Sequence, residues 1–286
     1  MSAYLATLDR LLADGVTRLP RPFVARQVRF IERRQGADGG FPGRQGGADL
    51  YYTDFALRVL TLCAPDSPAV PRAARYLAAC PAPTDLVHVC AALHSRRLLR
   101  RCGYHVGRDV PGVLPPFPPL DSAYRIFLAA LCCALRGEPF PHQETAVRRL
   151  RALRGGDGGF AGQPGEACGQ TNATAAALGA LALWARLGEE DTAATVFLAG
   201  MQAEDGGLRA HAALAAGDLL STFTGLLTLA TLGDMAALRL GEVGRFTRGL
   251  ACPDGGFRGA PGDAEADSEY TFYGLGTLAL LALCLA

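Results

Sequence analysis

The chain has 286 residues, half of them apolar, and a formal net charge of +1 at pH 7. A large core can be buried at this length, and the balanced charge excludes the broad basic field that nucleic acid or an anionic membrane surface calls for. All 28 basic side chains are arginine, which removes phosphate-loop and Schiff-base lysines from consideration.

The N-terminal "MSAYLATLDRLLADG" carries acidic residues and no signal-peptide apolar core, and the C-terminal "LGTLALLALCLA" is too short to span a bilayer. The nine cysteines are scattered without a C-x-x-C pair, which fits reduced thiols better than a disulfide framework. A cytoplasmic protein with no transmembrane segment is expected.

From residue 21 a repeat appears. The amphipathic "RPFVARQVRFIERR" leads into "GADGGFPGRQGGADLYYTDFALRVLTL", an Asp-Gly-Gly-Phe turn, a polar loop and a long apolar helix. Next come "TDLVHVCAALHSRRLL" and "LDSAYRIFLAALCCAL", helices of the second kind without the glycine turn, separated by the proline-rich connector "DVPGVLPPFPPL". The full pattern resumes with "ETAVRRLRALR" and "GGDGGFAGQPGEACGQTNATAAALGALAL", then "AEDGGLRAHAALAAGDLLSTFTGLLTL", then "CPDGGFRGAPGDAEADSEYTFYGLGTLAL". The acidic "GEEDT" at 188–192 falls between repeats and reads as a solvated helix cap.

Helices that are apolar nearly all round must be buried, whereas half-polar helices face water on one side. Six units of this kind predict an all-α fold, an α/α toroid with an inner ring of apolar helices, an outer ring of amphipathic ones and a central cavity. The whole of 1–286 forms one domain on this reading, with few strands, because period-two alternation is absent.

The glycine turn followed by an apolar helix resembles the repeat shared by protein prenyltransferase β subunits and squalene and terpene cyclases. The segments "LYYTDFALRVLTL", "DGGFAGQPGEACGQ" and "GGFRGAPGDAEADSEYT" are most similar to the β subunit of Rab geranylgeranyl transferase, in the same order. This resemblance implies an isoprenoid ligand and a helical α-subunit-like partner. It also implies which helix face looks inward: Tyr52/Phe55, His88/Ala91, Tyr124/Phe127, Ala173/Ala176, Ser221/Thr224 and Tyr270/Tyr273. Such a wall is aromatic on units one, three and six, small on units four and five, and carries no arginine and no carboxylate.

In the resembled enzymes an Asp, a Cys and a His hold a zinc ion that activates the acceptor thiol. Asp218 matches the Asp, but Leu220 stands at the Cys position and Tyr270 at the His position. One aspartate cannot hold zinc against water, so no zinc is expected. For a diphosphate, Ala167 replaces a histidine and Leu214 a lysine, leaving Arg209 and His211 as candidates. The recurring Asp-x-x-x-Thr, at Asp49/Thr53, Asp218/Thr222 and Asp267/Thr271, reads first as a helix N-cap.

Three functions follow as expectations. The first is isoprenoid binding without zinc-dependent cysteine prenylation. The second is a working prenyltransferase or terpene cyclase using Asp218, Asp267 or Glu269, with Mg²⁺ if a diphosphate is used. The third is an interaction scaffold whose centre is filled.

Overall fold

The computed structural model describes residues 2–106 and 120–284. Twelve α-helices are found among them: α1 (Ala3–Thr17), α2 (Arg21–Arg33), α3 (Leu50–Cys63), α4 (Ala69–Ala79), α5 (Leu86–Arg101), α6 (Ala123–Arg136), α7 (Gln143–Ala152), α8 (Thr171–Leu183), α9 (Thr192–Gly200), α10 (Leu219–Leu232), α11 (Leu240–Gly249) and α12 (Ser268–Cys284). The described strands are the two-residue β1 (Phe41–Pro42) and β2 (Ala48–Asp49), paired antiparallel with Phe41 opposite Asp49.

Helices α3, α5, α6, α8, α10 and α12 are neighbours in that order, and α12 packs back on α3, so they form the expected inner ring. Five outer helices, α2, α4, α7, α9 and α11, each precede an inner one. An outer partner for α6 would fall in the connector at 109–120, nearly all of which lies outside the described residues.

Each glycine turn is built by the same bonds. The amide of the residue after the two glycines donates to the Thr hydroxyl one turn into the following inner helix. The four cases are Phe41 to Thr53 at 3.0 Å, Phe160 to Thr174 at 2.9 Å, Leu208 to Thr222 at 2.9 Å and Phe257 to Thr271 at 3.3 Å. Those Phe and Leu side chains are fully buried between the rings. The first glycine of each pair has positive φ, and a Cβ there would meet a backbone carbonyl of the next outer helix at 2.5–2.7 Å, as at Gly39 on Arg72 and Gly158 on Ala193. The last turn closes the circle: Gly255 lies on the Arg26 carbonyl of α2, and the Gly256 amide donates to the Gln27 side chain at 2.7 Å.

Helix α1 is a feature the repeat did not announce. Gly15 lies against the Ala279 carbonyl of α12, Asp9 pairs with Arg97 and Arg101 of α5, and the Tyr4 hydroxyl sits near Gly179 of α8. These are the C-terminal halves of three separate inner helices. A 15-residue helix is about 22 Å long, so α1 crosses and floors that end of the ring.

One loop differs from expectation. Asp191 in "GEEDT" is buried and bonded by Arg151 and Arg154, so it ties α7 to the following repeat and is no solvated cap.

The turn geometry sets a stability test. Gly46→Ala, at φ +82° with open space around it, should cost about 1–2 kcal/mol. Gly158→Ala combines φ +86° with a carbonyl 2.7 Å from the new Cβ and should cost at least about 2 kcal/mol more. Midpoints of chemical denaturation measure both.

Candidate functional site

The aspartates that head the inner helices are caps. Asp49, Asp85, Asp218 and Asp267 accept the amides of Tyr52, His88, Ser221 and Tyr270 at 2.7–3.0 Å, and Ser122 does the same on α6 for Arg125 at 3.2 Å. Three of these aspartates engage their second oxygen as well. Asp218 accepts the Ser221 hydroxyl at 2.7 Å, Asp85 is bonded to the His88 ring at 2.6 Å, and Asp267 accepts Arg44 Nε at 2.8 Å.

Arg44, from the first glycine loop, also bonds Asp263 through both terminal nitrogens at 2.9 and 3.1 Å, and its guanidinium lies over the Tyr270 ring at 5.3 Å. The acidic segment before α12 is thus the seam where the sixth repeat meets the first. It offers no open carboxylate cluster for Mg²⁺. Zinc does not fit either: Asp218 is occupied as described, Leu220 and Tyr270 replace the other donors, and no metal-sized group of three His, Cys, Asp or Glu occurs among the described residues.

The aromatic wall is present. Tyr51, Phe55, Tyr273, Phe272 and Phe223 make a chain of ring contacts with centroids 5.0–5.9 Å apart across α3, α12 and α10, and Tyr270 meets Tyr273 at 6.0 Å. Opposite, Tyr124 of α6 exposes 48% of its surface, yet surrounding atoms push its phenol up to about 12, with further influence from Cys90, Glu269 and Arg58. Phe127 is half-buried beside Gly179. Ser221 and Thr224 are tied to Asn172 at 3.3 and 2.7 Å, giving α8 and α10 a small polar wall.

Two charged groups in this space correct the expected apolar lining. Glu269, on the first turn of α12, accepts the Tyr51 hydroxyl at 2.6 Å and the Tyr273 hydroxyl at 3.2 Å, both on Oε1. Burial raises its carboxyl above the ordinary glutamate value, with Asp267 adding to the rise and the two phenols and Arg58 opposing it. Arg58, one turn beyond Phe55, stacks on the Phe55 ring at 4.5 Å and on Phe272 at 5.3 Å, and pairs with buried Asp54. Asp54 is also bonded by His94 at 2.9 Å and Ser95 at 3.0 Å. Burial alone would raise the Asp54 carboxyl, but Arg58 and His94 hold it below its usual value, while burial lowers the His94 imidazole.

The remaining candidates lie elsewhere. Arg209 donates to the Leu214 and Gly200 carbonyls at 3.4 and 3.2 Å, so it braces its own loop, and His211 is exposed on that loop beside Gln170. Neither forms a cationic cradle. His88 faces its own cap, Asp85.

A closed ring of glycine-turned helix pairs around a tyrosine-lined space defines an α/α toroid. The chain belongs to the prenyltransferase alpha-alpha toroid domain family, whose model matches residues 128–285. Among solved structures it is similar to the type II terpene cyclase MstE from Scytonema in complex with geranylgeranyl dihydroxybenzoate (13% identity, TM-score 0.61, 98% of this chain and 99% of that one). It is also similar to Candida albicans protein geranylgeranyltransferase-I complexed with GGPP (13%, 0.52, 95% and 83%) and to a glycosidase in complex with glucose (14%, 0.57, 93% and 96%). At these identities the likeness is one of fold, and the three chemistries differ, so the site must decide function. No curated protein matches the chain.

The seam gives the second test. Arg44→Ala should destabilise the fold by about 1–2 kcal/mol at neutral pH, after discounting for partial exposure. Arg44 depresses the Asp263 carboxyl, so this contribution is present above the ordinary aspartate range. It is lost as pH falls through the depressed value. Thermal melts of both proteins across acidic pH should converge.

Proposed function

We propose that the toroid binds an isoprenoid or a similar unsaturated apolar chain along its axis, without zinc-dependent cysteine prenylation. The observation that carries this reading is the cluster formed by the Tyr51, Phe55, Tyr273 and Tyr270 rings, with the exposed Tyr124 of α6 close enough to influence Tyr51. Aromatic faces offer large apolar area and a negative quadrupole suited to polarisable double bonds. The family supports it, as do two relatives of the same fold, one bound to geranylgeranyl dihydroxybenzoate and one to GGPP. The substituted positions Leu220 and Tyr270 argue for an absent zinc, and one zinc per purified chain would overturn that part.

Tyr124 supplies the cleanest test, because its exposure makes it dispensable to the core. Native mass spectrometry with farnesyl and geranylgeranyl compounds should detect one bound chain per protein. Tyr124→Ala should weaken binding about tenfold with little change in melting temperature. No binding by either chain length would leave the scaffold reading.

A second reading has its own support. The phenols of Tyr51 and Tyr273 meet at Oε1 of Glu269, leaving Oε2 to carry a proton, and burial favours the protonated form. Transfer of that proton to an alkene carbon would form a C–H bond from the π pair, leave a carbocation among the aromatic rings and return Glu269 as carboxylate. Glu269→Gln should then abolish turnover of a polyene while preserving its binding. Wild-type activity should fall as pH rises through the raised Glu269 value; a flat profile would sink the acid role.

A further inference from the structure

Arg58 is the least expected group in the chamber. It belongs to the inner ring, and the groups that feel its charge come from four inner helices: Tyr51 on α3, Cys90 and His94 on α5, Tyr124 on α6, and Glu269 and Tyr273 on α12. A quarter of its side chain is nonetheless accessible. Its guanidinium lies over the Phe55 and Phe272 rings, which places the accessible part beside the aromatic cluster.

Its bonding is one-sided. Nε and Nη2 both reach Asp54 Oδ2, at 2.8 and 2.6 Å, and the flat face is taken by Phe55 and Phe272. The Nη1 edge has no hydrogen-bond partner among the described residues. Asp54 is held from its other oxygen by His94 and Ser95, so the guanidinium cannot swing away from this position without stranding a buried carboxylate. The result is a fixed donor edge beside the Phe55 and Phe272 rings.

Charge decides what that edge can take. Asp54 already offsets the Arg58 cation, the Glu269 carboxyl faces the same space, and His94 is biased to its neutral form. A diphosphate placed here would meet two carboxyl groups and no uncompensated cation. A carbonyl, ether or hydroxyl oxygen would accept from Nη1 with no charge to offset.

We infer that Arg58 is a specificity-determining residue that selects an isoprenoid bearing a neutral oxygen function, bound with that oxygen on the Nη1 edge, over both the bare hydrocarbon and the diphosphate. This rests on the isoprenoid-binding reading above and narrows its ligand class. Sites built to hydrogen-bond one ligand group discriminate against analogues lacking it far better than apolar pockets discriminate by size.

The test compares geranylgeraniol, geranylgeranial, geranylgeranyl diphosphate and the matching C20 polyene hydrocarbon that lacks only the oxygen, by native mass spectrometry and competition. Wild-type protein should hold the alcohol or aldehyde at least tenfold more tightly than the other two. Arg58→Lys keeps a cation beside Asp54 but loses the planar edge. The double variant Asp54→Asn/Arg58→Met removes both charges, so neither is left buried alone. Both variants should bind the hydrocarbon as wild type does and lose the oxygen preference to within twofold. Equal wild-type binding of alcohol and hydrocarbon, tightest binding of the diphosphate, or a preference that survives the double substitution would each overturn the assignment while leaving isoprenoid binding intact. Failure of all four compounds to bind would overturn both.

Discussion

The bond from each loop amide to the threonine hydroxyl of its own inner helix governs the rest of this molecule. It fixes where the inner helix begins relative to the turn, and so drives the Phe or Leu of that turn between the rings. The glycine beside it then rests on the carbonyl of the next outer helix. One local bond thereby sets both the pairing within a repeat and the spacing between repeats. Because the sixth turn rests on α2 in the way that earlier turns rest on α4 and α9, the array closes into a ring.

That constraint also explains why the conspicuous aspartates are not chemistry. A chain leaving the loop in extended conformation exposes the first amides of each inner helix, and on five of the six an Asp or Ser at the N-cap accepts one of them, the exception being α8 with Gln170. Once its carboxylate is held by an amide and a second donor, it has little left for a metal or a substrate. Asp267 is the extreme case, buried and shared between the α12 cap and Arg44. The acids beside it serve the joint between the ends of the array, which a closed ring needs and an open solenoid does not.

The fold was legible because the repeat is redundant: four glycine turns and six apolar helices state the same geometry. The inward face was legible as far as two residues per helix. It stopped there, and so Arg58 and His94, each three residues beyond Phe55 and Ala91 on the same stripe, were missed although their spacing contains them. Tyr51 and Glu269 lie one position off that stripe and reach the chamber through long side chains, which spacing alone does not reveal. The latch by Arg44 joins residues 219 and 223 positions apart, and only ring closure brings them together. Helix α1 carries no copy of the repeat, so periodicity had nothing to say about the floor it makes.

Function in such an array is carried by departures from the repeat. A residue that recurs in several units answers a need of the scaffold, whereas one found once has been kept or acquired for something else. By this criterion the small residues of α8 and α10 and the aspartate caps are background. The Tyr51–Glu269–Tyr273 triad and the Asp54–Arg58–His94–Ser95 network are the departures, and both lie on the arc from α12 through α3 to α5. A carboxyl that burial inclines to hold its proton and a cation with one open edge face the same aromatic space from adjacent helices. That pairing gives the aromatic cluster a polar pole, which would orient a chain bound as proposed where aromatic contacts alone would let it slide.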